Sequence, residues 1–229
     1  MTTGQATLSA SAPAQGDGGR SNHFSRGGHG HAAGLSEEGE HGASKRIVVA
    51  YGFWIFLISD IILFAAFFAT YAVLRDSTAG GPTGRDLFDM RTVAIETACL
   101  LTSSLFCGLA GLGAQAKNGR LFYGAMAVTF VLGAAFLFIE LREFAGMIGK
   151  DAGPQRSGFL SAFFALIGCH GLHVAAGLLW LLTMMAQVLA KGYRDDVLRR
   201  ILCFNLFWHT LDIIWVGLFS LVYLAGVAL

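Results

Sequence analysis

Of 229 residues, 55 % are hydrophobic and only 14 % are charged, whereas a soluble globular protein averages about 25 % charged. That balance excludes an ordinary soluble domain, and a net charge of +1 gives no reason to expect nucleic acid as a partner.

The chain begins with a stretch, 1–44, rich in Gly, Ser and Ala and carrying His23, His29, His31 and His41. It lacks the 7 to 15 residue apolar core of a cleaved signal peptide. A flexible cytoplasmic tail is expected here, and the irregular histidine spacing favours that over a metal-binding tract. The rest, 45–229, reads as one transmembrane domain. Five apolar runs occupy 47–74, 92–116, 121–148, 158–190 and 201–229, each longer than the ~20 residues that cross a ~30 Å hydrocarbon core. Lipid cannot satisfy backbone polar groups, and a barrel would show ~10-residue alternating segments, so the fold class is an all-α integral membrane bundle of five helices. The four-residue connection 117–120 makes the second and third helices antiparallel neighbours.

Basic residues near the helix ends set the orientation. Ten flank the first helix on its N-terminal side or join helices two to three and four to five: Arg20, Arg26, Lys45, Arg46, Lys117, Arg120, Lys191, Arg194, Arg199 and Arg200. Five lie on the other side: Arg75, Arg85, Arg91, Lys150 and Arg156. A cytoplasmic N-terminus and an external C-terminus follow.

The chemistry must be sought in polar residues inside the apolar runs. Asp60 sits at the midpoint of the first, where a carboxyl group costs roughly 2.5 to 3.5 kcal/mol on insertion scales and so calls for an internal partner or a function. Glu96, Glu140 and Glu143 follow. His170 and His173 share one face of helix four, and His209 and Asp212 repeat the i, i+3 relation in helix five, with Trp208, Asp212 and Trp215 forming a stripe. These faces are expected to point into the bundle or at another protein. Histidines on adjacent helices could ligate haem or metal, but the Glu-x-x-His pattern of di-iron bundles is absent, and buried hydrogen-bonded structural groups are the favoured reading. Cys99, Cys107, Cys169 and Cys203 show no CxxC spacing and read as small packing residues. Gly108, Gly111 and Gly113, with Gly168, Gly171 and Gly177, allow helices to approach closely.

Gly52-Phe53-Trp54, Ser59-Asp60, Thr70-Tyr71, His170-Gly171-Leu172-His173-Val174, and Phe207-Trp208-His209 with Asp212 and Trp215 together resemble subunit III of the haem-copper oxidases. The loop at 79–84 and the stretch from Gly153-Pro154 through Ser157 to Phe164 are similar to the cytochrome o ubiquinol oxidase form. The resemblance runs from Gly52 to Gly226 and leaves out the N-terminal tail. It implies a chain with no catalytic residue, cofactor site or metal of its own, haem and copper being held by a partner catalytic subunit I. It also implies contacts with other oxidase subunits and phospholipid, support of assembly and sustained turnover in a proton-pumping complex, and residence in a bacterial inner membrane. Asp60 falls where many relatives carry a buried glutamate. Many relatives have seven helices; the quinol oxidase form lacks the first two, which its catalytic subunit supplies. The corresponding subunit of a cytochrome c oxidase, or an independent transporter or metal-binding protein, are the alternatives.

Overall fold

A computed structural model describes the backbone of residues 30–82 and 89–228, and the side chains of 47–82 and 89–226. The chain divides into two units, Met1–His41 and Gly42–Leu229. Of the first, the described part is helical backbone beginning at Gly30. The five membrane-length helices belong to the second.

These are α1 (Gly30–Leu74), α2 (Met90–Gln115), α3 (Gly119–Ile148), α4 (Gly158–Lys191) and α5 (Asp195–Leu218). A π-helical segment, Phe219–Leu224, and a last turn, α6 (Ala225–Ala228), continue α5. Among the described residues, five helices are long and apolar enough to cross a membrane, α1 through its part Ile47–Leu74 and α5 together with the π segment as Asp195–Leu224.

Two boundaries depart from the sequence expectation. Helix α1 begins at Gly30, so residues 30–44 of the expected flexible tail carry helical backbone; no proline interrupts the stretch, and Ala, Leu and Glu within it favour a helix. The side chains of His31 and His41, and all of His23 and His29, lie outside the described residues. Helix α5 begins at Asp195 rather than 201. Its first turn holds Asp195 and Asp196, which end an apolar run yet favour a helix N-terminus through the helix dipole.

Side-chain caps start three helices. Asp89 accepts from the Arg91 amide at 3.1 Å and the Thr92 hydroxyl at 2.9 Å; these bonds, the hydroxyl first, hold its carboxyl below the usual carboxylate range. Asn118 accepts from the Leu121 amide at 3.3 Å, and Ser157 from the Leu160 amide at 3.2 Å, each filling a donor the first turn leaves open.

Helices α2, α3, α4 and α5 form a closed square: α2 neighbours α3 and α5, and α4 neighbours the same two. Helix α1 lies outside it against α4, α5 and the π segment, through Asp60 to His173, Phe68 to Gly217 and the Tyr71 hydroxyl to the Val222 carbonyl. Between Ile47 and Leu74 its covered positions are Ala50, Phe53, Leu57, Asp60, Phe64, Phe67, Tyr71 and Leu74, with Phe68 beside them. Their alternating spacing of three and four is the seam of a coiled coil, and every other described position of the span is exposed. One polar residue, Asp60, interrupts the seam.

Inside the square, Trp208 of α5 is the centrepiece. A Cβ at Gly177 of α4 would meet its indole at 2.9 Å, and one at Gly133 of α3 would meet it at 3.0 Å. Only hydrogen on both sides lets the ring in.

Candidate functional site

The seam residue Asp60 finds its partner on α4: its Oδ1 lies 3.3 Å from Nε2 of His173. Both are near the middle of their spans. The other ring nitrogen, Nδ1, lies 2.7 Å from the Cys169 carbonyl, which can only accept, so Nδ1 carries a proton. A bond between Nε2 and the carboxyl therefore needs one further proton, shared between them. Phe64 covers the pair, its ring 5.2 Å from that of His173 at a steep angle. Asp60 thus lies beside a residue that the sequence reading treated as half of a histidine pair.

His170 shares the helix face but not the partner. It is 0 % exposed, and its ring is enclosed by Trp215 at 5.3 Å, Phe136 at 5.9 Å and Phe64 at 6.2 Å. Neither of its nitrogens has a hydrogen-bond partner among the described residues. The two histidines therefore do not converge on one ligand.

Glu96 on α2 and Glu140 and Glu143 on α3 gather at the end of the bundle where α3 finishes and α2 begins. Glu96 and Glu140 are buried, Glu143 is half-buried, and the three carboxyls act on one another electrostatically. Tyr223 of the π segment lies within the same electrostatic range. None of the six carboxylate oxygens has a partner among the described residues. Glu143 also borders a cleft of about 390 Å³ with Asp89, Thr92, Arg142 and Lys150. No group of three His, Cys, Asp or Glu among the described residues is placed to hold a metal ion.

The stripe on α5 separates. Trp208 and Trp215 turn inward, their indole N–H groups donating to the Ser103 and Thr97 hydroxyls of α2, each at 3.1 Å. Ser103 in turn donates to the Leu100 carbonyl at 2.8 Å. Asp212 is half-buried, engages the Ser104 hydroxyl and feels His209. His209 is exposed, yet it lies on the same side of α5 as Asp212, its Nε2 3.8 Å from where a Cβ of Gly108 on α2 would stand. Sequence reasoning missed Thr97, Ser103 and Asn205, whose Oδ1 accepts from the Cys107 thiol at 2.9 Å. Hydroxyl and amide residues inside an apolar run were their only signal.

Among the described residues the polar side chains bond one helix to another, and comparison with known proteins gives the family. Residues 32–227 match the family described as cytochrome c oxidase subunit III. The chain is 47 % identical over 196 residues to the cytochrome bo(3) ubiquinol oxidase subunit 3 of Pseudomonas aeruginosa, covering 86 % of this chain and 93 % of that one. It is 51 % identical over 176 residues to the protein of the same name from Pseudomonas putida, covering 77 % and 85 %. It is 41 % identical over 178 residues to the cytochrome c oxidase subunit 3 of a Bacillus species, covering 76 % and 84 %.

Proposed function

Because the chain belongs to the cytochrome c oxidase subunit III family, we propose that it is the third subunit of a cytochrome o type ubiquinol oxidase in a bacterial inner membrane. It attaches to the catalytic subunit, which holds the haem and copper, and supports assembly and phospholipid retention of a complex that oxidises quinol, reduces oxygen to water and moves protons outward. The observation that carries this reading is the 47 % identity extending over 93 % of the Pseudomonas aeruginosa subunit. The cytochrome c oxidase reading has the lower identity, 41 %. The polar groups support a structural role: Asp60 with His173, Trp208 with Ser103 and Trp215 with Thr97 join one helix to another.

The test is purification of the tagged chain in mild detergent. A haem- and copper-containing subunit should accompany it, and the complex should consume oxygen with ubiquinol as donor. A complex that uses only reduced cytochrome c would transfer the reading to the other oxidase class. A chain that purifies alone from cells with full oxidase activity would remove it from this role. Separated from the complex, the chain is expected to be colourless; stoichiometric haem or metal that disappears on His170→Ala would overturn that.

Topology gives a second expectation. Five crossings and the basic bias support a cytoplasmic N-terminus and an external C-terminus. Reporter fusions active on the same side for both ends would show that one helix does not cross.

A further inference from the structure

Buried polar side chains elsewhere in the bundle are bonded: Ser103, Thr129 and Thr210 donate to carbonyls, and Trp208 and Trp215 donate to hydroxyls of α2. Glu96 of α2 and Glu140 of α3 depart from that rule. They are 0 % and 2 % exposed, and neither their four oxygens nor the two of Glu143 have a partner among the described residues. Buried carboxyls without a protein donor need a proton, water or a cation in its place. Among the described residues no three ligand groups converge on one ion, and the ion pairs all take aspartates, Asp60, Asp76 and Asp196. Arg142, beside Glu143 in sequence, lies instead against the Phe138 ring at 5.7 Å.

The three carboxyls have a closed side and an open one. Toward mid-span, one turn before Glu140, Phe136 packs on Trp215 with ring centroids 4.7 Å apart, and His170 stands behind both rings. The π segment brings Tyr223, itself 0 % exposed, into electrostatic range of all three carboxyls and of Tyr71 on α1; such a break in helical register recurs at functional sites. From α4, Phe163 packs against the Tyr223 ring. On the open side Glu143 enters the wall of the cleft of about 390 Å³, with Asp89 and Thr92 of α2 and Arg142, Gly146 and Lys150 from the end of α3. Asp89 also acts on Glu143 electrostatically. The cleft therefore leads from the buried pair, through Glu143, to the end of the bundle where α2 begins and α3 finishes.

We propose that Glu96, Glu140 and Glu143 form a proton-binding site, held between α2, α3 and the π segment, which exchanges its protons with the aqueous phase through the cleft beside Glu143. Carboxylates brought together in a low-dielectric interior lose their hydration and repel one another, so protons shared among them supply the missing countercharge. Groups coupled in this way release protons as a set rather than one residue at a time. Glu143, buried on one side and bordering the cleft on the other, passes protons between solvent and the interior pair, while Asp89, Arg142 and Lys150 are the charged groups along the way out. This goes beyond the structural role proposed above, which gives the three carboxyls no exchange with water.

The test is infrared spectroscopy of the whole purified complex, perfused with buffers from about pH 5 to about pH 9 and then exchanged from water into D2O. The spectrum of the unaltered complex minus that of Glu140→Gln should contain the carbonyl stretch of a protonated carboxyl at acid pH, a band that fades as pH rises and shifts in D2O. In Glu96→Gln the band should fade at a pH lower by about one unit, because the remaining carboxyls face one fewer like charge. Gly146→Trp fills the cleft from a position where a Cβ meets nothing within 4 Å, and should slow the D2O shift about tenfold or more. Absence of the band at every pH would mean carboxylates held ionised, and a band indifferent to pH and D2O would mean sealed hydrogen-bonding groups. Either result, or an unchanged exchange rate in Gly146→Trp, would overturn the proposal. Should Glu140→Gln fail to assemble, the Glu143→Gln difference spectrum and the Gly146→Trp exchange rate decide.

Discussion

Gly177→Val is expected to reduce the assembled oxidase by about tenfold or more, read as haem-carrying subunit recovered with the chain from solubilised membranes. A side chain at 177 drives into the Trp208 indole, and the indole cannot retreat: Gly133 closes its other side and its N–H is fixed to Ser103. Overpacking of a closed core costs roughly 1 to 3 kcal/mol, and about 1.4 kcal/mol is a factor of ten in an equilibrium. Trp208→Leu in the same chain should recover a large part of the loss by making room. Normal assembly of Gly177→Val alone would mean that α4 and α5 can separate without consequence, contrary to the packing described.

Asp60 separates shape from chemistry. Since Nδ1 of His173 carries a proton toward the Cys169 carbonyl, Nε2 can accept, and the amide of an Asp60→Asn variant can donate to it. Near-normal assembly and oxidase activity are expected. Asp60→Leu supplies no donor and leaves Nε2 unsatisfied in apolar surroundings, a loss of about 1 to 3 kcal/mol in general and less where a membrane offers other partners. With few other covered positions on α1, that loss should appear as easier dissociation of phospholipid or of the oxidase in detergent, several-fold relative to Asn. Should Asn abolish proton pumping in an intact complex, the pair would be part of proton transfer rather than of helix docking.

The existence and order of the five helices were legible in the sequence because lipid imposes length and composition on anything that crosses it. Direction of faces was far less so. In a soluble helix the apolar stripe marks the core; here apolar residues line both sides, so Leu160, wholly buried, and Leu172, 70 % exposed, look alike in sequence. Polar residues were the better guide, and they divided. Asp60 needed a partner and has one. His170 and His173 do share a face, yet one is enclosed by rings and the other reaches α1. His209, expected to point into the bundle or at another protein, is exposed, while its companion Asp212 engages Ser104 of α2. Thr97 and Ser103 could not be singled out, since hydroxyls inside a helix bond equally well to their own backbone carbonyls.

The narrow seam of α1 bears on how the chain is made. Synthesis delivers α1 first, while His173 and the faces of α4 and α5 that receive it follow more than a hundred residues later. At about 5 to 20 residues per second, Asp60 waits on the order of ten seconds in the translocation channel or the bilayer with no counterpart. Helices α2, α3 and α4 meet in succession without such a delay, whereas the bonds of α2 to α5, Ser103 with Trp208 and Thr97 with Trp215, wait as long as Asp60 does. A membrane chaperone or insertase that shelters a lone carboxyl would act in that interval.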